Sequence, residues 1–409
     1  MANKRDFEGN RLHHFELSDA NRTVRWVLII LLLVVAAVAL AYGLTSALQT
    51  PAGWQTVEGN TTGLNCGDEF VLRYEYGAGD QSATAESKQL QQLYGACLED
   101  AWKLFFNEAG ETDLVGMAAI NGHPNQQLTI DARLYRALEQ MEESGSRALY
   151  LAPVYAEYDG VFYSRQDADA REQDPGLDEE QRNYVQMLAD QIHADGAIEL
   201  QLLGNNTVKL QLSEAYLAFA REREITCFVD FGWLRNAFIV DMIADAMVEN
   251  GLTNGYIASV DGFTRNLDQR NNTYRLNLFH MGENGIDQAG VMDYSGPKSL
   301  VFLRSYPMYD ENFHRYYCYE DGRIVTAMID PADGQSKASV AELVSYSAEM
   351  GCGRLALTMM DAFVADVFPE DMVKGWAQQG IYSVWFQGMQ LLHSQADLSV
   401  TPEEPYYSE

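Results

Sequence analysis

Trp26 to Leu48 reads WVLIILLLVVAAVALAYGLTSAL, a stretch without a charge or a proline. About 20 such residues in a helix cross a hydrocarbon core of roughly 30 Å. Five basic residues precede the stretch (Lys4, Arg5, Arg11, Arg22, Arg25) and none follows until Arg73. That asymmetry predicts a cytoplasmic leader over residues 1–25, a single transmembrane signal anchor over 26–48, and a body outside the membrane. A cleaved signal peptide is the alternative, against which stand the long leader and the long apolar run.

The body is packed protein, since 47% of the 409 residues are hydrophobic and 23 are tyrosines. From Pro51 onward it carries 23 basic against 55 acidic residues, a net charge of −32. Such a surface repels nucleic acid, anionic lipid and dinucleotide phosphates alike. The five cysteines (Cys66, Cys97, Cys227, Cys318, Cys352) show no CxxC or Cys/His metal spacing. A Cys66–Cys97 bridge is one reading, a fully reduced set the other. No GxSxG elbow, HExxH, P-loop or GxGxxG occurs, and no internal repeat.

Periodicity places a strand at Val71 to Tyr76 and a helix from Glu86 to Glu108. A second helix starts from Asp131 as its cap. Residues 164–182 read as a solvated charged loop, and AIELQLL with TVKLQL as a hairpin around Gly204, Asn205 and Asn206. From Ile225 the reading is a strand to Asp230, a helix to Glu249, a strand over Tyr256 to Val260, and short strands between Tyr274 and Ile329. A helical pair over Ala338 to Phe368, a late strand IYSVWF and a loose acidic tail over 394–409 complete an α+β chain.

Three blocks carry a family likeness: VDFGWLRNAFIVD (Val229 to Asp241), MIDPADG (Met328 to Gly334) and GRLALTMM (Gly353 to Met360). In order and spacing they resemble the FAD:protein FMN transferases, the ApbE family, whose patterns read D-L-G-G-I-A-K-G-x-x-x-D, H-I-I-D-P-x-T-G and A-D-x-L-A-T-A. Weaker likenesses are the stretch Asn125 to Leu134 and GVFYS (Gly160 to Ser164), the latter standing where the family has a turn. The resemblance extends over residues 65–390 and implies an α+β, T-fold-related flavin-transferase domain.

The resemblance also names a cleft. Asp230, Gly232 and Asp241 match the first block, but Trp233 stands at its second glycine and Asn236 at its lysine. Ser305 survives from the family's A-T-S-G, whose glycine is Tyr306 here. Ala327 takes the place of the histidine, while Asp330, Pro331 and Gly334 match and Asp333 replaces a threonine. Thr358 is kept from the metal-holding pair and Arg354 replaces its aspartate. The cleft candidates are thus Asp230, Gly232, Asp241, Ser305, Asp330, Arg354 and Thr358, with no catalytic residue and no metal ligand among them. Trp233 and Tyr306 are expected to fill the cleft. Arg354 either pairs with Asp330 or Asp333 or holds an anionic phosphate or carboxylate.

These substitutions point to a membrane-anchored pseudoenzyme, a binding or scaffold partner of a membrane flavoprotein or of an active paralogue. Two alternatives stand beside it. One is an active transferase with a rearranged site, which alone would use FAD and magnesium. The other is an extracytoplasmic anion or solute sensor resting on Arg354, Thr358 and Ser305.

Overall fold

The computed structural model describes residues 22–47, 49–59, 66–79, 81–110, 112–270, 272–282, 285–308, 315–387, 390–394 and 400–402. It divides into two units, Met1–Pro51 and Ala52–Glu409.

The first unit is one helix, α1 (Arg22–Ala47). Its side chains are described from Trp26 to Leu40, and all of these are exposed. Among the described residues no helix is long and apolar enough to cross a membrane.

The second unit begins with β1 (Gly53–Val57), β2 (Phe70–Tyr76) and α2 (Ala83–Phe105). It continues with α3 (Met117–Gly122), β3 (Gln127–Thr129), α4 (Ala132–Glu143), α5 (Ala152–Phe162), α6 (Asp167–Gln173) and α7 (Glu179–His193). Next come β4 (Ile198–Gly204), β5 (Thr207–Leu212), α8 (Glu214–Glu222) and α9 (Arg235–Glu249). The strands β6 (Gly255–Ser259), β7 (Phe263–Asn266), β8 (Thr273–Gly282), β9 (Gly285–Ser295) and β10 (Lys298–Arg304) follow. The rest is β11 (Tyr316–Cys318), β12 (Ile324–Thr326), β13 (Glu342–Ser347), α10 (Cys352–Phe363), α11 (Glu370–Gly375), β14 (Ile381–Gln387), β15 (Gln390–His393) and β16 (Val400–Pro402).

Eight strands form the central antiparallel sheet, in the order β1-β2-β6-β7-β10-β13-β14-β15. Both of its faces are covered. Val301, Leu303, Leu343 and Trp385 join the main core with residues of α2, α9 and α10. Their neighbours Leu300, Phe302, Val344, Val384 and Phe386 meet Leu278 of β8 and Met292 of β9 on the other side. This explains why β10 is apolar without alternation: both phases of the pleat are buried.

Local chemistry sets the helix starts. Ser82, Asp131, Asp178 and Ser213 each accept a backbone N–H of the first turn of α2, α4, α7 and α8. The β4–β5 hairpin turns at Asn205 (φ 50) and Asn206 (φ 57), residues that tolerate positive φ.

Six expectations are corrected. Val229 and its neighbours form no strand, because the Asn121 side chain takes the place of a partner strand: its Oδ1 accepts the Phe228 and Val229 N–H groups at 2.8 and 3.0 Å, and its Nδ2 donates to the Val229 carbonyl at 2.9 Å. The charged stretch 164–182 contains α6. GVFYS closes α5 rather than turning, with Gly160 under Gln173. The span Ala338 to Phe368 holds one helix, α10, and a strand, β13, whose apolar residues fill both faces between β10 and β14. Within the expected loose tail, Val400–Pro402 pairs with β9, and 395–399 and 403–409 lie outside the described residues. Cys66 and Cys97 are free thiols, and burial pushes them up to about 12 and about 11.

Candidate functional site

The first block turns the chain from the Asn121-braced loop into α9. Asp230 shapes the turn, accepting the Gly232 N–H at 2.6 Å and the Asn107 side-chain amide at 2.5 Å. Gly232 is required twice over. Its φ is +55, and a Cβ there would lie 2.4 Å from the Tyr155 ring. The glycine thus admits an aromatic side chain of α5. Trp233 is 3% exposed, and its indole Nε1 is buried without a hydrogen-bond partner.

Asn236, at the lysine position of the resemblance, is fully buried. Its amide donates to Glu69 at 2.7 Å and to Asp261 at 3.1 Å. Positive charge enters the cluster from another segment. Arg315 sits 3.2 Å from Glu69 and 3.0 Å from Asp261, and donates to the Trp233 carbonyl at 3.3 Å. Burial pushes the Asp261 carboxyl up against the pull of Arg315.

A cavity of about 330 Å³ lies against this turn. The first block contributes Asp230, Gly232, Trp233 and Arg235 to its lining. α5 and the residue after it supply Tyr155, Tyr158, Phe162 and Tyr163. Ala327 and Ile329 form part of the opposite wall, and Glu108 and Asp159 add carboxylates. Trp233 borders this space and is at the same time packed into the main core. Tyr306 is elsewhere, 1% exposed and donating to buried Glu342 at 3.0 Å.

The lining carboxylates disfavour one another. Desolvation, and then the charges of Glu108 and Asp230, push Asp159 up to about 6. Asp230 is also raised, by burial, although Arg235 and the Gly232 N–H oppose the shift. Arg235 lies with its guanidinium 3.8 Å over the Phe106 ring.

The second and third blocks do not join the cavity through their polar side chains. Asp330 accepts the Ala332 N–H at 2.9 Å and pairs with Lys337 at 2.9 Å. The same ammonium reaches Asp333 at 2.6 Å and Asp366 at 2.9 Å. The bridge expected from Arg354 is therefore made by Lys337, and Arg354 is exposed. The Thr358 hydroxyl donates to the Arg354 carbonyl one turn back, at 3.0 Å. Ser305 continues the chain beside β13, its N–H bonded to Ala341. Asp241 holds the start of α10, accepting the Cys352 and Gly353 N–H groups at 2.8 and 2.9 Å, and Arg265 braces it at 2.7 Å.

Of the seven cleft candidates the structure brings Asp230 and Gly232 together at the cavity. Asp241, Ser305, Asp330, Arg354 and Thr358 stand outside its lining. No sequence pattern marks Arg315, Asp261, Glu108, Asp159, Tyr155 or Tyr158 as site residues. They come from segments far apart in the chain, and none carries a motif.

No protein-family model matches the chain, and no curated protein matches it. Solved structures do. The ApbE protein from Thermotoga maritima matches with a TM-score of 0.56 at 10% identity, covering 87% of this chain and 97% of its own. The flavin transferase ApbE from Vibrio cholerae gives 0.55 at 13% identity, covering 84% and 97%. The chain has the α+β fold of the ApbE flavin transferases.

Proposed function

We propose that this chain is a membrane-anchored, extracytoplasmic protein of ApbE fold that binds a partner or ligand and does not transfer FMN. The observation that carries the reading is the ammonium of Lys337, held within 2.6 to 2.9 Å of Asp330, Asp333 and Asp366. The carboxylates of the second block already share one cation of the chain's own, which leaves the cluster net negative but with its oxygens turned onto Lys337. Magnesium needs several oxygen ligands in octahedral array. Around the third block, position 354 offers a guanidinium and the Thr358 hydroxyl is turned onto its own helix. The histidine of the family pattern is lacking as well, since position 327 is an alanine on the cavity wall. The residues present do not fit a magnesium-bound pyrophosphate, so no transfer step runs through this site.

The test is incubation of the full chain with FAD, magnesium and a Ser/Thr-containing flavin-acceptor protein, read by in-gel flavin fluorescence. No covalent flavin is expected, and a fluorescent acceptor band would overturn the reading. The anchor rests on the apolar run of α1 and the basic residues before it. The body should pellet with membranes and be cut by protease added outside spheroplasts. A body protected until lysis would refute that placement.

A further inference from the structure

The cavity against the first block has a chemistry of its own. Tyr155, Phe162, Tyr163 and Trp233 present aromatic surface to it, and Glu108 and Asp159 stand on its lining as exposed carboxylates. Neither of these two carboxylates has an ion-pair or side-chain hydrogen-bond partner among the described residues. The lining cations do not neutralise them. Arg315 is spent on two carboxylates, Glu69 and Asp261. Arg235 is stacked on Phe106, and its charge acts on Asp230.

We propose that this cavity binds a small organic ammonium ion, seated on the aromatic walls with its charge toward Asp159 and Glu108. Aromatic faces attract a cation through the ring quadrupole, and desolvation strengthens the attraction. Two carboxylates short of a counter-ion add Coulomb energy that a phosphate or carboxylate ligand would have to oppose. The volume, about 330 Å³, lies at the small end of ligand pockets. Desolvation lifts Asp159 first and the charges of Glu108 and Asp230 add to it, and a positive group entering the cavity opposes both. This inference rests on the reading above, because it assigns to the same cleft a ligand opposite in charge to a flavin dinucleotide.

The test compares 2-phenylethylamine with 3-phenylpropionate, the same ring with opposite charge, by calorimetric titration of the detergent-solubilised full chain near neutral pH and low salt. The amine should bind and the carboxylate should be at least about tenfold weaker. The double variant Asp159→Asn, Glu108→Gln should lose at least about tenfold in amine affinity without a fall in melting temperature, since removing the Asp159 charge takes away a cost to folding near neutral pH. Equal binding of the two compounds, undiminished binding by the double variant, binding of neither, or FAD displacing the amine would each overturn the proposal. Covalent flavin transfer would sink the functional reading without touching these titrations, and failed titrations would leave the transfer result standing.

Discussion

Replacing Asp241 by alanine separates a structural role from a ligand-binding one. Its two carboxylate oxygens accept the Cys352 and Gly353 N–H groups at the start of α10 and the Arg265 guanidinium. Losing a helix cap costs about 1 kcal/mol. Stripping one partner from a buried ion pair costs about 3–5 kcal/mol. Asp241 and Arg265 retain 14% and 20% side-chain exposure, and Asp245 stays within 3.8 Å of Arg265, so the lower end applies. The sum is about 4 kcal/mol. For a unit the size of Ala52–Glu409 the unfolding entropy is roughly 0.75 kcal/mol/K, which makes the expected fall in melting temperature about 5 °C. Asp241→Asn keeps one acceptor and should fall by about half as much. Differential scanning calorimetry of the three proteins reads the series. A shift below about 1 °C for Asp241→Ala would refute the capping argument and return Asp241 to the list of ligand contacts.

Lys337→Ala should destabilise by about 1–3 kcal/mol, because three carboxylates then face one another. The folded-state pairing raises the Lys337 ammonium, so its stabilisation is fully present below 10.5 and fades only as strongly alkaline pH is passed. Added magnesium should raise the melting temperature of the alanine variant and leave the parent unmoved; the opposite pattern would contradict the assignment of Lys337 as the resident cation. Thiol titration of the native protein should release Cys318 quickly and the buried Cys66, Cys97 and Cys352 only after unfolding. A Cys66–Cys97 bridge on a non-reducing peptide map would count against the fold here. Asp159 is raised from 3.8 to about 6, so its ionisation costs folding stability progressively from about pH 4, with the full cost above about pH 6. Asp159→Asn should therefore raise the melting temperature at pH 7 and not at pH 4. Amine binding by the parent should tighten as pH rises through about 6 and lose that dependence in the variant.

Much of the fold was legible residue by residue. Asp131 announces a helix start because a short polar side chain beside a free N–H is a local event, whereas Ser82, Asp178 and Ser213 cap helices that the sequence reading does not start at them. Asn205 and Asn206 announce a hairpin for the same reason. β13 (Glu342–Ser347) is hard to tell from helix in the sequence because it buries polar and apolar residues on both faces and shows no alternation. The loop before α9 was read as a strand because its hydrogen-bond partner is the side chain of Asn121, more than a hundred residues away.

The site divides along the same line. The sequence by itself determined the order of the three blocks, the replacement of histidine by Ala327 and of the metal aspartate by Arg354, and the charge of a body that repels phosphate. Those are properties of identity and spacing, which need no coordinates. Only the tertiary structure decided which neighbours answer each change. Lys337 rather than Arg354 meets Asp330, Arg315 rather than position 236 carries charge to Glu69 and Asp261, and Asp241 caps a helix. It likewise decided that Trp233 borders an open cavity. Charge pairing and cavity shape depend on a few ångströms between segments far apart in the chain, and no local pattern encodes that distance.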